Sequence, residues 1–198
     1  MLIPRATAGR QAGMTMLEVL ITLVILAFGL LGLAGLHLKI QTLDMEAYQR
    51  AQAILLLRDM VERIKANGAA AASYVPASAS TAYGSHYTAT CPGATQAQKD
   101  ICEWTNALQG AAESSSGTKV GAMIEARGCV QEITAPDPTS GVCRPGSYRV
   151  TVAWQGLFLT TPPAAGLTCG LGATQYGSND AIRRAISSTI VIGLPTCL

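Results

Sequence analysis

The sharpest division in the chain lies between one unbroken apolar run and everything after it. From Met14 to Leu38 the sequence reads MTMLEVLITLVILAFGLLGLAGLHL, 25 residues with a single acidic side chain, Glu18. A helix of that length covers a hydrocarbon core of about 30 Å. Beyond Leu38 the apolar density drops, but the helical period continues. Ile40, Leu43, Ala47, Ile54, Leu57, Val61 and Ile64 recur at spacings of three, four and seven, with charges between them. Arg58 with Glu62, and Asp59 with Arg63, are helical i,i+4 pairs. Asn67-Gly68 is a C-terminal stop. The pattern predicts one helix over 14–66, roughly 80 Å long at 1.5 Å per residue. Its first part, 14–38, is membrane-spanning, and 39–67 is amphipathic.

The remainder, 68–198, reads as a globular head. Residues 68–90, rich in Ala, Ser and Tyr, predict a loop. Residues 95–109 predict a short helix in which Asp100, Trp104 and Leu108 recur every four positions, with Trp104 and Leu108 as anchors. Ser147–Gln155 alternates, placing Tyr148, Val150, Val152 and Trp154 on one face of a strand. Ile186, Ile190 and Ile192 do the same near the C-terminus. Gly128–Ile133 and a stretch around Met123 carry weaker strand signals. The expected fold class is α+β, a small antiparallel sheet packed on the amphipathic half of the long helix.

Charge and cysteines place the two parts on opposite sides of a membrane. Arg5 and Arg10 precede the apolar run and no acidic residue does, so the N-terminus is expected to stay cytoplasmic. All six cysteines, Cys91, Cys102, Cys129, Cys143, Cys169 and Cys197, lie after it. An even count in the exported part points to disulfides in an oxidising compartment. Six cysteines permit 15 pairings; nearest-neighbour pairing gives 91 with 102, 129 with 143, and 169 with 197. No close cysteine pair has a histidine beside it, so no metal and no cofactor are expected. The net charge is only +2, and no basic cluster is longer than Arg183-Arg184, so no nucleic-acid surface is evident. His37 stands at the membrane edge and His86 between tyrosines in a loop. Neither belongs to a catalytic motif, and no enzyme is expected.

Glu18 is the chemical anomaly. A carboxylate at the centre of a membrane helix costs about 2.5–3.5 kcal/mol on insertion scales, and less near the interface. If the chain is cut between Gly13 and Met14, the new α-amine of Met14 becomes the nearby cation. It would pair with Glu18 of its own chain or of a neighbour, and a buried carboxylate left unpaired would disfavour a mismatched subunit. A removed secretory signal is the rival reading, but the apolar run is long for one and no A-x-A-like site promptly follows. Gly29, Gly32 and Gly35 interrupt the run. They fit either the ordinary glycine content of membrane helices or a point where the helix loosens.

Ala12-Gly13 followed by Met14-Thr15-Met16-Leu17-Glu18-Val19-Leu20-Ile21 resembles the type IV prepilin processing site. That site has glycine before the cut, an apolar first mature residue and glutamate at the fifth mature position. Met14 departs from the phenylalanine more often found there. Ala27 to Leu36, Ala47-Tyr48 through Ala53, and Asp59-Met60-Val61-Glu62-Arg63-Ile64-Lys65-Ala66-Asn67 are similar to PilV-type minor pilins. So, more thinly, is Tyr148 to Trp154. The resemblance implies the type IV pilin fold, with residues 1–13 a leader removed by prepilin peptidase, and Met14 N-methylated. It implies a low-copy minor pilin that helps to start the filament or sits at its tip. Its partners would be other minor and major pilins, the inner-membrane assembly platform and membrane lipid. The chain would first lie in the inner membrane with its head periplasmic, then in the pilus fibre. The alternatives are a minor pseudopilin of a type II secretion system, a tip adhesin or DNA-binding module, and a signal-anchored periplasmic enzyme.

Overall fold

The apolar and amphipathic runs form one helix, α1, over Met16–Ala66. The computed structural model describes residues 13–78, 82–85, 90–110, 114–115, 118–119, 123–172 and 174–194. Residues 1–12 of the leader, His86 and Cys197 therefore lie outside the described residues. The chain divides into two units, one ending at Asp44 and one beginning at Met45, and α1 contributes to both.

In the first unit every residue from Gly13 to Gln41 is exposed. The helix passes through Gly29, Gly32 and Gly35 without a break, and a Cβ added at any of the three would meet nothing within 4 Å.

In the second unit α1 buries Gln49, Ala53, Leu57, Met60, Val61 and Ile64. Leu57, Val61 and Ile64 lie on the packed face as expected. Ala47 does not; it is exposed, as Ile40 and Leu43 of the first unit are in theirs. Both sides of this helix carry apolar residues, so spacing alone cannot tell which stripe the sheet will cover. Asp59 pairs with Arg63 at 3.0 Å as expected, whereas Glu62 pairs with Lys65 at 2.8 Å and not with Arg58. After Ala66 a 3₁₀ helix, Gly68–Tyr74, turns the chain where a loop was expected, and Tyr74 is buried.

Helix α2, Gln96–Leu108, begins at a capping box: Thr95 accepts from the Gln98 N–H, and the Gln98 side chain accepts in return. Ala97, Asp100, Trp104 and Leu108 form its buried face. Two contacts fasten it to α1. The Trp104 indole N–H donates to the Leu56 carbonyl at 2.8 Å. Arg63 reaches Asp100 at 3.0 Å and Glu103 at 2.7 Å while keeping its bond to Asp59. Burial alone would raise the Asp100 pKa, but hydrogen bonds from Tyr74, Gln96 and Arg63 outweigh it, and the pKa is lowered. Tyr74 is pushed up to about 12, by burial first and then by its bond to Asp100.

The sheet has the order β3-β4-β5 and is antiparallel throughout: β3 is Ile124–Thr134, β4 Gly146–Gln155 and β5 Arg183–Ile192. A separate two-residue pairing joins β1 (Ser114–Ser115) to β2 (Thr118–Lys119). Tyr148, Val150, Val152 and Trp154 share one core with Val130, Ile190 and the buried residues of α1 and α2. The outer face has its own small cluster, Cys129, Ala153 and Cys169, with Ala82 and Ala185 against it.

That outer cluster explains a correction to the cysteine pairing. Cys91 bonds to Cys102 as expected, but Cys129 bonds to Cys169, which overturns both the 129–143 and the 169–197 pairs. The segment after β4 folds back over the sheet and brings Cys169 there. Arg183 donates to the carbonyls of Leu167 (2.8 Å) and Cys169 (3.1 Å), Arg149 to that of Gly166 (3.2 Å), and Gln131 to the Thr168 hydroxyl (3.1 Å). Cys143 is also disulfide-bonded.

Candidate processing and assembly site

The segment that carries the candidate site is simple in geometry. Gly13, Met14 and Thr15 are non-helical, and α1 starts at Met16. A Cβ on Gly13 would meet nothing within 4 Å, so packing does not require glycine there. Met14 is 73% exposed. The bond between them thus lies on an exposed, non-helical stretch.

Thr15 sets where the helix begins. Its hydroxyl accepts from the Glu18 N–H at 3.3 Å, and its carbonyl accepts from the N–H groups of Glu18 (3.1 Å) and Val19 (3.3 Å). A threonine that caps a first-turn amide stabilises a helix start by about 1 kcal/mol. The signal for this role is T-x-x-E before an apolar run, a capping pattern that residue type alone does not single out as functional. With its N–H satisfied by Thr15, the Glu18 side chain is left exposed. Among the described residues no ion pair reaches it. A carboxylate in the first turn of a helix is favoured by the helix dipole, so Glu18 is compatible with its place in this unit.

From Val19 to Leu36 the first unit presents exposed side chains that are apolar except for Thr22, about five turns of helix. An apolar surface of this size is far above what an isolated soluble protein leaves in water. The helix is long and apolar enough to cross a membrane. Near its end His37 and Gln41 share a hydrogen bond of 3.0 Å, so His37 is held by its own helix. Among the described residues no group of three or more His, Cys, Asp or Glu side chains is placed to hold a metal ion.

Two family models match the chain. Residues 9–34 match the prokaryotic N-terminal methylation motif, which brackets Gly13, Met14 and Glu18. Residues 40–108 match the family described as type IV pilin Tt1218. The two matches support a type IV pilin. The long apolar helix, the small antiparallel three-stranded sheet and the disulfides are those of the pilin fold. The matched family is one of structural proteins, not of enzymes. The motif implies processing by prepilin peptidase and assembly with other pilins, and the apolar helix with it suggests anchoring in a membrane and a place in a pilus. No curated protein and no solved structure matches the chain.

Proposed function

We propose that this chain is a minor type IV pilin of the PilV type. It inserts in the inner membrane with its N-terminus cytoplasmic and its head periplasmic. Prepilin peptidase cuts after Gly13 and N-methylates Met14. The mature chain then joins other minor and major pilins on the assembly platform, where it starts the filament or sits at its tip. The observation that carries this reading is the methylation motif at 9–34 leading directly into a pilin-family match at 40–108. The mechanism follows from Glu18. Cleavage creates the Met14 amine, and the Glu18 carboxylate is exposed to receive it or the amine of a neighbour. Inside a bilayer that pairing offsets the cost of burying each charge alone, so processing and assembly are chemically coupled. The alternatives of a pseudopilin and of a DNA-binding tip receive no separate support; basic and acidic residues are evenly balanced over 68–198.

An intact mass of the membrane-extracted protein tests the first step. A species beginning at N-methyl-Met14 is expected, and retention of residues 1–13 in cells with active prepilin peptidase overturns the reading. Glu18→Val tests the second. It should insert and be cut normally yet fail to enter pili.

A further inference from the structure

The sheet ends on β3 at one side and on β5 at the other, and the two edges are built differently. β3 is irregular. Its register shifts between Ile124 and Arg127 and again between Glu132 and Thr134. Glu125, Arg127 and Glu132 put charge along it, and Tyr83 covers Gly128 through two backbone hydrogen bonds of 2.7 and 2.9 Å. Bulges, charges and a covering segment are the usual means of blunting an edge strand.

β5 has no bulge and no covering segment among the described residues, and its charges, Arg183 and Arg184, are confined to its first two positions. It pairs residue for residue with β4 from Arg183 to Ile192 without a shift. Positions 185–192 read AISSTIVI, with no charge and no proline. Among the described residues, no backbone hydrogen bond outside the β4 ladder reaches this strand. Ser187 and Thr189 are exposed, and Val191 is 64% exposed. The two arginines at its start are held by their own chain: Arg183 by the carbonyls of Leu167 and Cys169, Arg184 by Glu46, Thr160 and Phe158. A ten-residue regular edge of this kind is a template for another strand.

A second copy of the chain does not fit it. Pairing β5 with β5 antiparallel needs a twofold axis normal to the sheet. α1 lies across the sheet's inner face and shares its core, so that axis would reverse α1 in the second copy. Two chains anchored in one membrane by the same N-terminal segment cannot run in opposite directions. A copy in the same direction would offer its blunted β3 edge. We propose that the outer edge of β5 takes an extended, uncharged segment of a different pilin as a fourth strand. Main-chain bonds would hold the segment. From Ala185 to Ile192 the small or apolar side chains on both sides of β5 leave no charge for a charged strand to meet. This inference rests on the assembly reading above.

The test is hydrogen exchange, read by mass spectrometry on peptides covering 185–192. The full chain in nanodiscs is compared alone and after mixing with pilins released from sheared pili, with co-assembly followed by size in the same samples. Exchange in this segment should slow at least about tenfold on co-assembly. The Ser187→Lys/Thr189→Lys variant, changed at two exposed side chains, should keep the exchange rates of α2 and β4 but lose that slowing. Co-assembly with unchanged exchange at 185–192 overturns the inference while leaving the assembly reading intact. Absence of co-assembly overturns both. Concentration-dependent slowing in the chain alone would show self-pairing and overturn the assignment of the partner.

Discussion

Gly128 gives the sharpest test of how the head is packed, because two effects predict opposite signs. It lies in β3, where replacing glycine by alanine normally stabilises by about 0.4–1 kcal/mol by restricting the unfolded chain. Here a Cβ would stand well inside van der Waals contact with Trp104 Cη2 and Cζ3, and 2.8 Å from Leu108 Cδ1. Trp104 is fully buried, and its indole N–H is committed to the Leu56 carbonyl of α1. The ring cannot retreat without straining that bond and lifting α2. Overpacking costs about 1–3 kcal/mol, and loss of the indole bond adds about 1 kcal/mol. Gly128→Ala should therefore destabilise by about 2–3 kcal/mol net. Urea unfolding of the purified chain in detergent, followed by tryptophan fluorescence and circular dichroism, measures it. A Trp104→Leu background makes room for the methyl group, and there the same substitution should cost less than about 1 kcal/mol, giving a coupling energy well above additivity. A neutral or stabilising Gly128→Ala in the parent would refute the packing of Trp104 against β3.

Arg63→Met should cost about 3 kcal/mol in the same unfolding assay, because Asp100 is buried and would lose its cationic partner. Arg63→Lys should recover little of it, since a single ammonium cannot serve Asp59, Asp100 and Glu103 together. The lowered pKa of Asp100 means that its contribution is complete above the ordinary carboxyl value of 3.8 and is lost as pH falls through the lower folded value. Melting curves from pH 7 down to the acid range should thus be shallower in Asp100→Asn than in the parent. Gln49 is buried with neither amide atom hydrogen-bonded, so Gln49→Leu should raise stability by about 1 kcal/mol, checked by the same unfolding midpoints. Non-reducing peptide mapping should find Cys129 linked to Cys169. The double change Cys129→Ser/Cys169→Ser opens a loop of 40 residues and should cost about 4 kcal/mol in the chain-entropy model.

What the sequence showed, and what it hid, divides along physical lines. The membrane helix is legible because its length and its lone carboxylate are local properties of one run. β4 is legible because period-two alternation of Tyr148, Val150, Val152 and Trp154 has no other easy reading. α2 is legible at both ends, from Thr95 and Gln98 at its start to Leu108 at its close. The face of α1 that meets the sheet is not legible, as the exposed Ala47 shows, because its phase is fixed by a partner far away in sequence. The Cys129–Cys169 bond is hidden for the same reason. Nothing near either residue announces that the segment after β4 crosses back over the outer face, where Arg183, 14 residues beyond Cys169, holds it by the carbonyls. At the candidate site Gly13, Met14 and Glu18 stood out by residue type. Thr15 is legible only as a capping residue, through T-x-x-E.

The Cys129–Cys169 bond also says something about the order of maturation. Cys143 lies between the two bonded residues in sequence and is itself in a disulfide. If the head is exported from its α1 end, as proposed, Cys91 and Cys102 emerge first and pair natively, and Cys129 and Cys143 follow while Cys169 is still inside. The next thiols to meet are then the wrong ones, and they make the nearest-neighbour pair. Reaching the native pattern from there takes thiol–disulfide exchange and not oxidation alone. A cell that makes this protein in quantity should therefore depend on a disulfide isomerase, and one supplied only with an oxidase should accumulate heads whose outer sheet face is uncovered.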